Sequence, residues 1–76
     1  MSRTVVDTRF LLCPTPVLRL QERVNELVPG ALIEVICTDP GCLYDIPAWC
    51  KLQGHQILDI RTQEHTHIIL LEVGPQ

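Results

Sequence analysis

The sequence predicts an α+β domain, a two-layer α/β sandwich in which two helices cover one face of a four-stranded sheet, in the order β-α-β-α-β-β. Three observations lead there. A short strand-like segment precedes each of two helix-like segments, and two further strand-like runs near the C-terminus are joined by a link of hairpin length. The length of 76 residues gives room for one core and one domain over residues 1–76. With 46% apolar and 20% charged residues, the composition is globular rather than disordered, and no apolar run reaches the roughly 20 residues of a spanning helix.

Val5 and Val6, followed by Asp7 and Arg9, mark a first strand over residues 3 to 9. From Val17 the apolar residues Val17, Leu20, Val24, Leu27 and Val28 recur at helical spacing, with Arg19, Gln21, Glu22, Arg23, Asn25 and Glu26 on the other face. Pro29-Gly30 stops this helix. Ala31 to Thr38 is the second strand, with Ile33, Val35 and Cys37 on one face, and Asp39-Pro40-Gly41 is a turn. The second helix is expected from Asp45 or a little earlier, because Asp45 can cap it and Pro47 is tolerated only in a first turn. Gly54 ends it as a left-handed cap. Residues 55–62 and 66–73 form two strands linked by Gln63-Glu64-His65.

Cys13-Pro14-Thr15-Pro16 is the stretch with chemical character. A proline has no N–H to lose in a first helical turn, so the motif sits at a helix mouth. In one register Cys13 is the N-cap, Pro14 follows, and the helix dipole favours its thiolate; Pro16 then removes one of the amide donors a cap would use, which predicts a moderately activated sulfur. In the other register Thr15 is the cap, Pro16 is the first helical residue, and Cys13 lies in the entry loop, less influenced by the dipole. Both leave Cys13 exposed.

Met1-Ser2-Arg3-Thr4 leads into the first strand with no apolar leader, so a reducing cytoplasm is the expected compartment. The net charge of −3 argues against direct nucleic-acid binding, and no membrane association is expected. The other cysteines read differently. Cys37 and Cys50 are expected in the core, as is Trp49. Cys42, beside the turn, is either a semi-exposed spectator or, if the second helix begins near Cys13, a resolving thiol. Cys37, Cys42, Cys50 and His55, His65 and His67 lack the close paired spacing of structural zinc sites, so no metal is expected, and the expected role of His55 is to cap the second helix at its C-terminal end.

The chain resembles the TusA/SirA family of small sulfur-carrier proteins. The resemblance rests on Asp7-x-Arg9 and Leu11, on Cys13-Pro14-Thr15-Pro16-Val17, on Asp39, on Asp45-Ile46-Pro47-Ala48-Trp49-Cys50, and on Gly54-His55. It implies a mixed sheet under two helices, similar to the C-terminal domain of a bacterial translation initiation factor. It also implies a persulfide on the motif cysteine, here Cys13, with no separate cofactor. Sulfur would come from a cysteine desulfurase or rhodanese-like donor and pass to an acceptor protein, in tRNA thiolation or other sulfur trafficking. Two departures are visible. Phe10 stands where the family commonly has glycine, and Arg19 and Arg23 are the only cations of a first helix that is lysine-rich in the family.

The expected function is therefore that of a sulfur carrier, a sulfurtransferase acting stoichiometrically through Cys13, supported by Pro14, Thr15 and Pro16, with Leu18, Arg19 and Arg23 as candidate docking residues. The alternatives are a non-catalytic regulatory or RNA-associated module on the same fold, and a thiol redox protein using Cys13 and Cys42. No general-base pattern or cofactor motif is evident, and so small a domain has no room for a deep pocket; these favour handing sulfur onward over processing a bound substrate.

Overall fold

The computed structural model describes residues 3–75. Met1 and Ser2, on which part of the reading of the N-terminal segment rests, lie outside them. The element order is β1 (Thr4–Thr8), α1 (Thr15–Val24), β2 (Leu32–Cys37), α2 (Cys42–Gln53), β3 (Gln56–Gln63) and β4 (Thr66–Glu72). The four strands form one sheet in the order β1-β2-β4-β3. β1 and β2 are parallel, and β4 pairs antiparallel with both β2 and β3, so the sheet is mixed as expected.

Alternation fixes which face is covered. On β2, Ile33, Val35 and Cys37 are buried, and on β4 they face Leu71, Ile69 and His67 in register. Val6 and Thr8 complete this face on β1, and Thr8 satisfies its buried hydroxyl by donating to the Ile36 carbonyl at 2.8 Å. Leu20 and Val24 from α1, with Cys42, Ile46 and Cys50 from α2, join the same core. β3 is the exposed edge, with a bulge between Ile57 and Asp59 and a two-residue turn, Glu64-His65, into β4. No helix among the described residues is long and apolar enough to cross a membrane.

Two helix boundaries differ from expectation. α1 stops at Val24 rather than running to Val28. Its ladder tightens there, as Glu26 N–H bonds to the Arg23 carbonyl and Leu27 N–H to the Val24 carbonyl, while Pro29 disfavours helical geometry at Val28. Leu27 still packs on the core, whereas Val28 is 71% exposed. α2 starts at Cys42, not Asp45, and takes Pro47 into its interior. Pro47 forfeits the hydrogen bond to Leu43, a loss on the order of 3 kcal/mol in an ordinary helix. The earlier start puts Cys42, Ile46 and Cys50 on one stripe at four-residue spacing, all fully buried, and that burial outweighs the proline. Asp45 lies exposed in the first turn and makes no cap hydrogen bond.

The C-terminal end of α2 follows the sequence closely. Gly54 adopts φ 83°, the left-handed geometry that glycine accepts without a Cβ clash, and His55 N–H closes on the Cys50 carbonyl at 2.8 Å. The His55 side chain does not cap the helix. Its Nδ1 accepts the Gly74 N–H at 2.9 Å, its ring lies 5.2 Å from that of Trp49, and burial lowers its pKa, so it serves as a neutral tie between α2 and the C-terminal segment.

Candidate functional site: a cysteine between two helix mouths

Parallel pairing of β1 and β2 dictates where the site lies. Both strands end at the same edge of the sheet, so the loop from β1 to α1 and the loop from β2 to α2 leave side by side and the mouths of the two helices converge. The first loop carries Cys13 and the second carries Asp39, Pro40 and Gly41. Asp39 ties them together: its carboxylate accepts the Cys13 N–H at 2.8 Å through one oxygen and the Gly41 N–H at 3.1 Å through the other.

At the α1 mouth the cap falls between the two expected registers. Pro14 is the N-cap, and Thr15 and Pro16 are the first two helical residues. The Leu18 N–H to Pro14 carbonyl bond, at 3.1 Å, opens the helix ladder there, and the Thr15 N–H is already taken by the Leu12 carbonyl at 2.9 Å. Cys13 thus stands one residue outside the cap, across a cis peptide bond to Pro14. The two prolines offer no N–H to its sulfur.

Cys13 is half-buried, and its Sγ lies 3.5 Å from Cys42 Sγ. The backbone of Gly41 lies beside it, and a Cβ there would make an ordinary contact with the Cys13 sulfur at 3.6 Å. The expected thiolate is not what these surroundings favour. Burial raises the Cys13 pKa well above the ordinary thiol value, with further upward contributions from Cys42, Asp39 and Asp45. Burial likewise pushes Cys42 up to about 12 and Cys50 to about 11. The isolated protein therefore holds Cys13 as a thiol. Dipole reasoning from the motif alone missed the desolvation and the two acidic neighbours, which come from the β2–α2 loop and the first turn of α2.

The remaining candidates separate cleanly. All four cysteines are free. Cys37 is buried and directs its sulfur to the His67 carbonyl at 3.8 Å; Cys50 is buried under α2, and Trp49 packs against the core. Cys42 is 0% exposed, so it is not a semi-exposed spectator. Leu18 is exposed on the first turn of α1, whereas Arg19 and Arg23 lie on its outer face, each paired with a glutamate three residues on, Glu22 and Glu26. Sequence reasoning missed an apolar rim. Phe10 is 86% exposed, Leu12 76% and Tyr44 77%, two of them in the Cys13 loop and one on the first turn of α2. Its signal was in plain sight, because apolar residues beside a loop nucleophile cannot all reach a single small core.

Phe10 also has φ 67°, with its N–H bonded to Thr38 Oγ1 at 2.9 Å. A non-glycine residue in the left-handed region costs about 1–2 kcal/mol, partly offset by the extra chain entropy of glycine. Phe10→Gly is expected to raise stability by about 0.5–1 kcal/mol in urea unfolding, since the exposed ring contributes little burial. An unchanged or lowered midpoint would show that the ring packs in solution.

Asp39 supplies a prediction with two readouts. Its carboxyl is held below the usual range, first by the Cys13 N–H and then by the Gly41 N–H. A depressed folded pKa gives stability that is present above the unfolded value of about 3.9 and is lost as pH falls through the lower folded value. Asp39→Asn is therefore expected to melt lower than the parent chain at pH 7, with the gap closing in acid. It is also expected to alkylate several-fold faster at Cys13 near pH 7, because a charge that disfavours the thiolate has gone. Equal alkylation rates would remove Asp39 from the control of Cys13.

Comparison with known proteins places this geometry. Residues 4–73 match the family model described as sulfurtransferase TusA. The chain is 38% identical over 64 residues to the sulfur carrier protein TusA of Pseudomonas paraeruginosa, covering 84% of this chain and 81% of that one. It is 35% identical over 71 residues to the protein of the same name from Pseudomonas savastanoi pv. phaseolicola, covering 93% and 84%. Among solved structures, the SirA-like protein of Desulfitobacterium hafniense superposes with a TM-score of 0.82 over 95% of this chain and 99% of that chain, at 18% identity, which speaks for the fold alone. A match running from β1 through Val73 is a match to the whole two-layer fold, and the chain belongs to the TusA family.

Proposed function

We propose that the chain is a sulfur carrier that accepts sulfane sulfur as a persulfide on Cys13 and passes it to an acceptor protein. The observation that carries this reading is Cys13 itself. It is the one cysteine of the four with solvent access, set at a rim of exposed apolar side chains suited to transient protein contact. The TusA relatives bear the name sulfur carrier protein, which supports the same reading.

Both half-reactions are displacements at sulfur. Cys13 as thiolate attacks the terminal sulfur of a donor persulfide, the donor S–S bond breaks, and the donor thiolate leaves with the electron pair. In delivery an acceptor thiolate attacks the outer sulfur and Cys13 leaves as thiolate. A raised Cys13 pKa slows the first step by keeping the proton on, and slows the second because a basic thiolate is a poor leaving group. Sulfur is thus held until a partner covers the Phe10, Leu12 and Tyr44 rim and changes the surroundings of Cys13. The donor is a cysteine desulfurase or rhodanese-like protein and the acceptor a protein of a sulfur-relay pathway such as tRNA thiolation, in a reducing cytoplasm; Leu18, Arg19 and Arg23 extend the docking face along α1.

A labelled-sulfur chase tests the relay. The chain loaded by a cysteine desulfurase with labelled cysteine, then separated from it, is expected to carry one label and to surrender it to an acceptor protein thiol. Uptake of no label, or a label no acceptor thiol removes, would contradict the proposal.

A further inference from the structure

Cys42 has a placement the relay does not use. Its sulfur is fully enclosed, yet 3.5 Å from the sulfur of the residue that meets partners. The approach is built rather than incidental. α2 starts at Cys42 despite Pro47, which brings that sulfur against Cys13. Asp39 fixes the two loops to each other through Cys13 and Gly41.

We propose that Cys42 is a resolving thiol that discharges an undelivered persulfide from Cys13 as hydrosulfide, leaving a Cys13–Cys42 disulfide. The proposal rests on the persulfide reading of Cys13. Position selects which sulfur is attacked. The inner sulfur of the loaded residue is Cys13 Sγ, in contact with Cys42, and in-line attack on it requires the outer sulfur to leave on the side opposite Cys42. Cys42 gives up its proton to water, its Sγ bonds to Cys13 Sγ, the Cys13 Sγ–outer sulfur bond breaks, and the outer sulfur of the persulfide anion takes the electron pair and a proton from water to depart as HS⁻. Atoms and charge balance without an oxidant, because the sulfane sulfur is itself reduced to sulfide as the two thiols are oxidised. An external dithiol returns the disulfide to the carrier state. The consequence is a carrier with a limited holding time, in which delivery to a partner competes with discharge.

The test uses the whole chain, loaded with sulfane sulfur from sodium polysulfide and freed of excess by gel filtration. The wild type is expected to pass from a species one sulfur atom heavier than the reduced chain to one that is two hydrogens lighter. It should release one sulfide per chain, yield a Cys13–Cys42 linked peptide, and do so at a rate unchanged by dilution. Cys42→Ala and Cys42→Ser, both checked for native far-UV dichroism, are expected to keep the persulfide at least about tenfold longer, since a reaction between groups held in contact is lost. Equal lifetimes in the variants, or a bridge to Cys37 or Cys50 instead, would overturn the role of Cys42 and leave the carrier reading standing. No uptake of sulfur by any of the three proteins would overturn both.

Discussion

Cys13→Ser is expected to lose sulfur loading by at least about a hundredfold, to below detection in an intact-mass assay with a desulfurase and cysteine. The expectation follows from where the other sulfurs lie. Cys37, Cys42 and Cys50 are each 0% exposed, and burial pushes all three thiols above their ordinary values, Cys42 to about 12. A thiol with a pKa near 12 holds on the order of one thiolate in 10⁵ at pH 7, and it cannot meet the persulfide of a docked donor. Serine is the sharper substitution because its hydroxyl still covers Cys42, whereas Cys13→Ala removes that cover. The fold should survive, since Cys13 packs only at the margin of the core. Loading of Cys13→Ser at a rate near that of the parent would place the carrier sulfur elsewhere.

Leu20→Ala is expected to have the largest effect on stability. Leu20 is fully buried on the core side of α1, in the cluster that also holds Ile46 of α2 and Ile33 and Ile69 of the sheet. Truncating a buried leucine costs about 2–5 kcal/mol, lost transfer energy plus an incompletely collapsed cavity. Against about 4–11 kcal/mol for a chain of this length, that is a large share of the total. The melting temperature should fall by more than about 10 °C. Because the core face of α1 holds the Cys13 mouth against the start of α2, loading should decline with the folded fraction as temperature rises. A fall of only a degree or two would mean that α1 is not anchored through Leu20.

These two residues also mark how much was readable in advance. Leu20 and Cys13 were both legible, one from the helical spacing of Val17, Leu20 and Val24, the other from its two prolines, and all six elements lie where local pattern put them. The boundaries were not. α1 ends at Val24 because tighter turn bonds and Pro29 prevail over an apolar stripe that reaches Val28, and α2 begins at Cys42 because burial of Cys42, Ile46 and Cys50 prevails over the aversion of a helix to Pro47. The first outcome is local backbone bonding that the apolar periodicity does not report, and the second is set by packing against elements distant in sequence, which propensity does not contain.

The chemistry at Cys13 was the least legible part for the same reason. A proline-flanked cysteine suggests a dipole-favoured thiolate, but its state depends on Cys42 and Asp39, more than twenty positions away and brought close only because β1 and β2 are parallel neighbours. Asp39 was visible as a matching residue without a role; its role is to clamp the Cys13 loop to the entry of α2.

Carried sulfur is expected on Cys13 Sγ and on no other cysteine of the chain. Peptide mapping of the wild-type chain, loaded by a desulfurase and blocked with an alkylating agent before digestion, tests it most directly. The expected result is one alkylated persulfide, on the peptide that contains Cys13, with Cys37, Cys42 and Cys50 recovered free of added sulfur. A persulfide mapped to any of those three, with Cys13 recovered as an unmodified thiol, would contradict it.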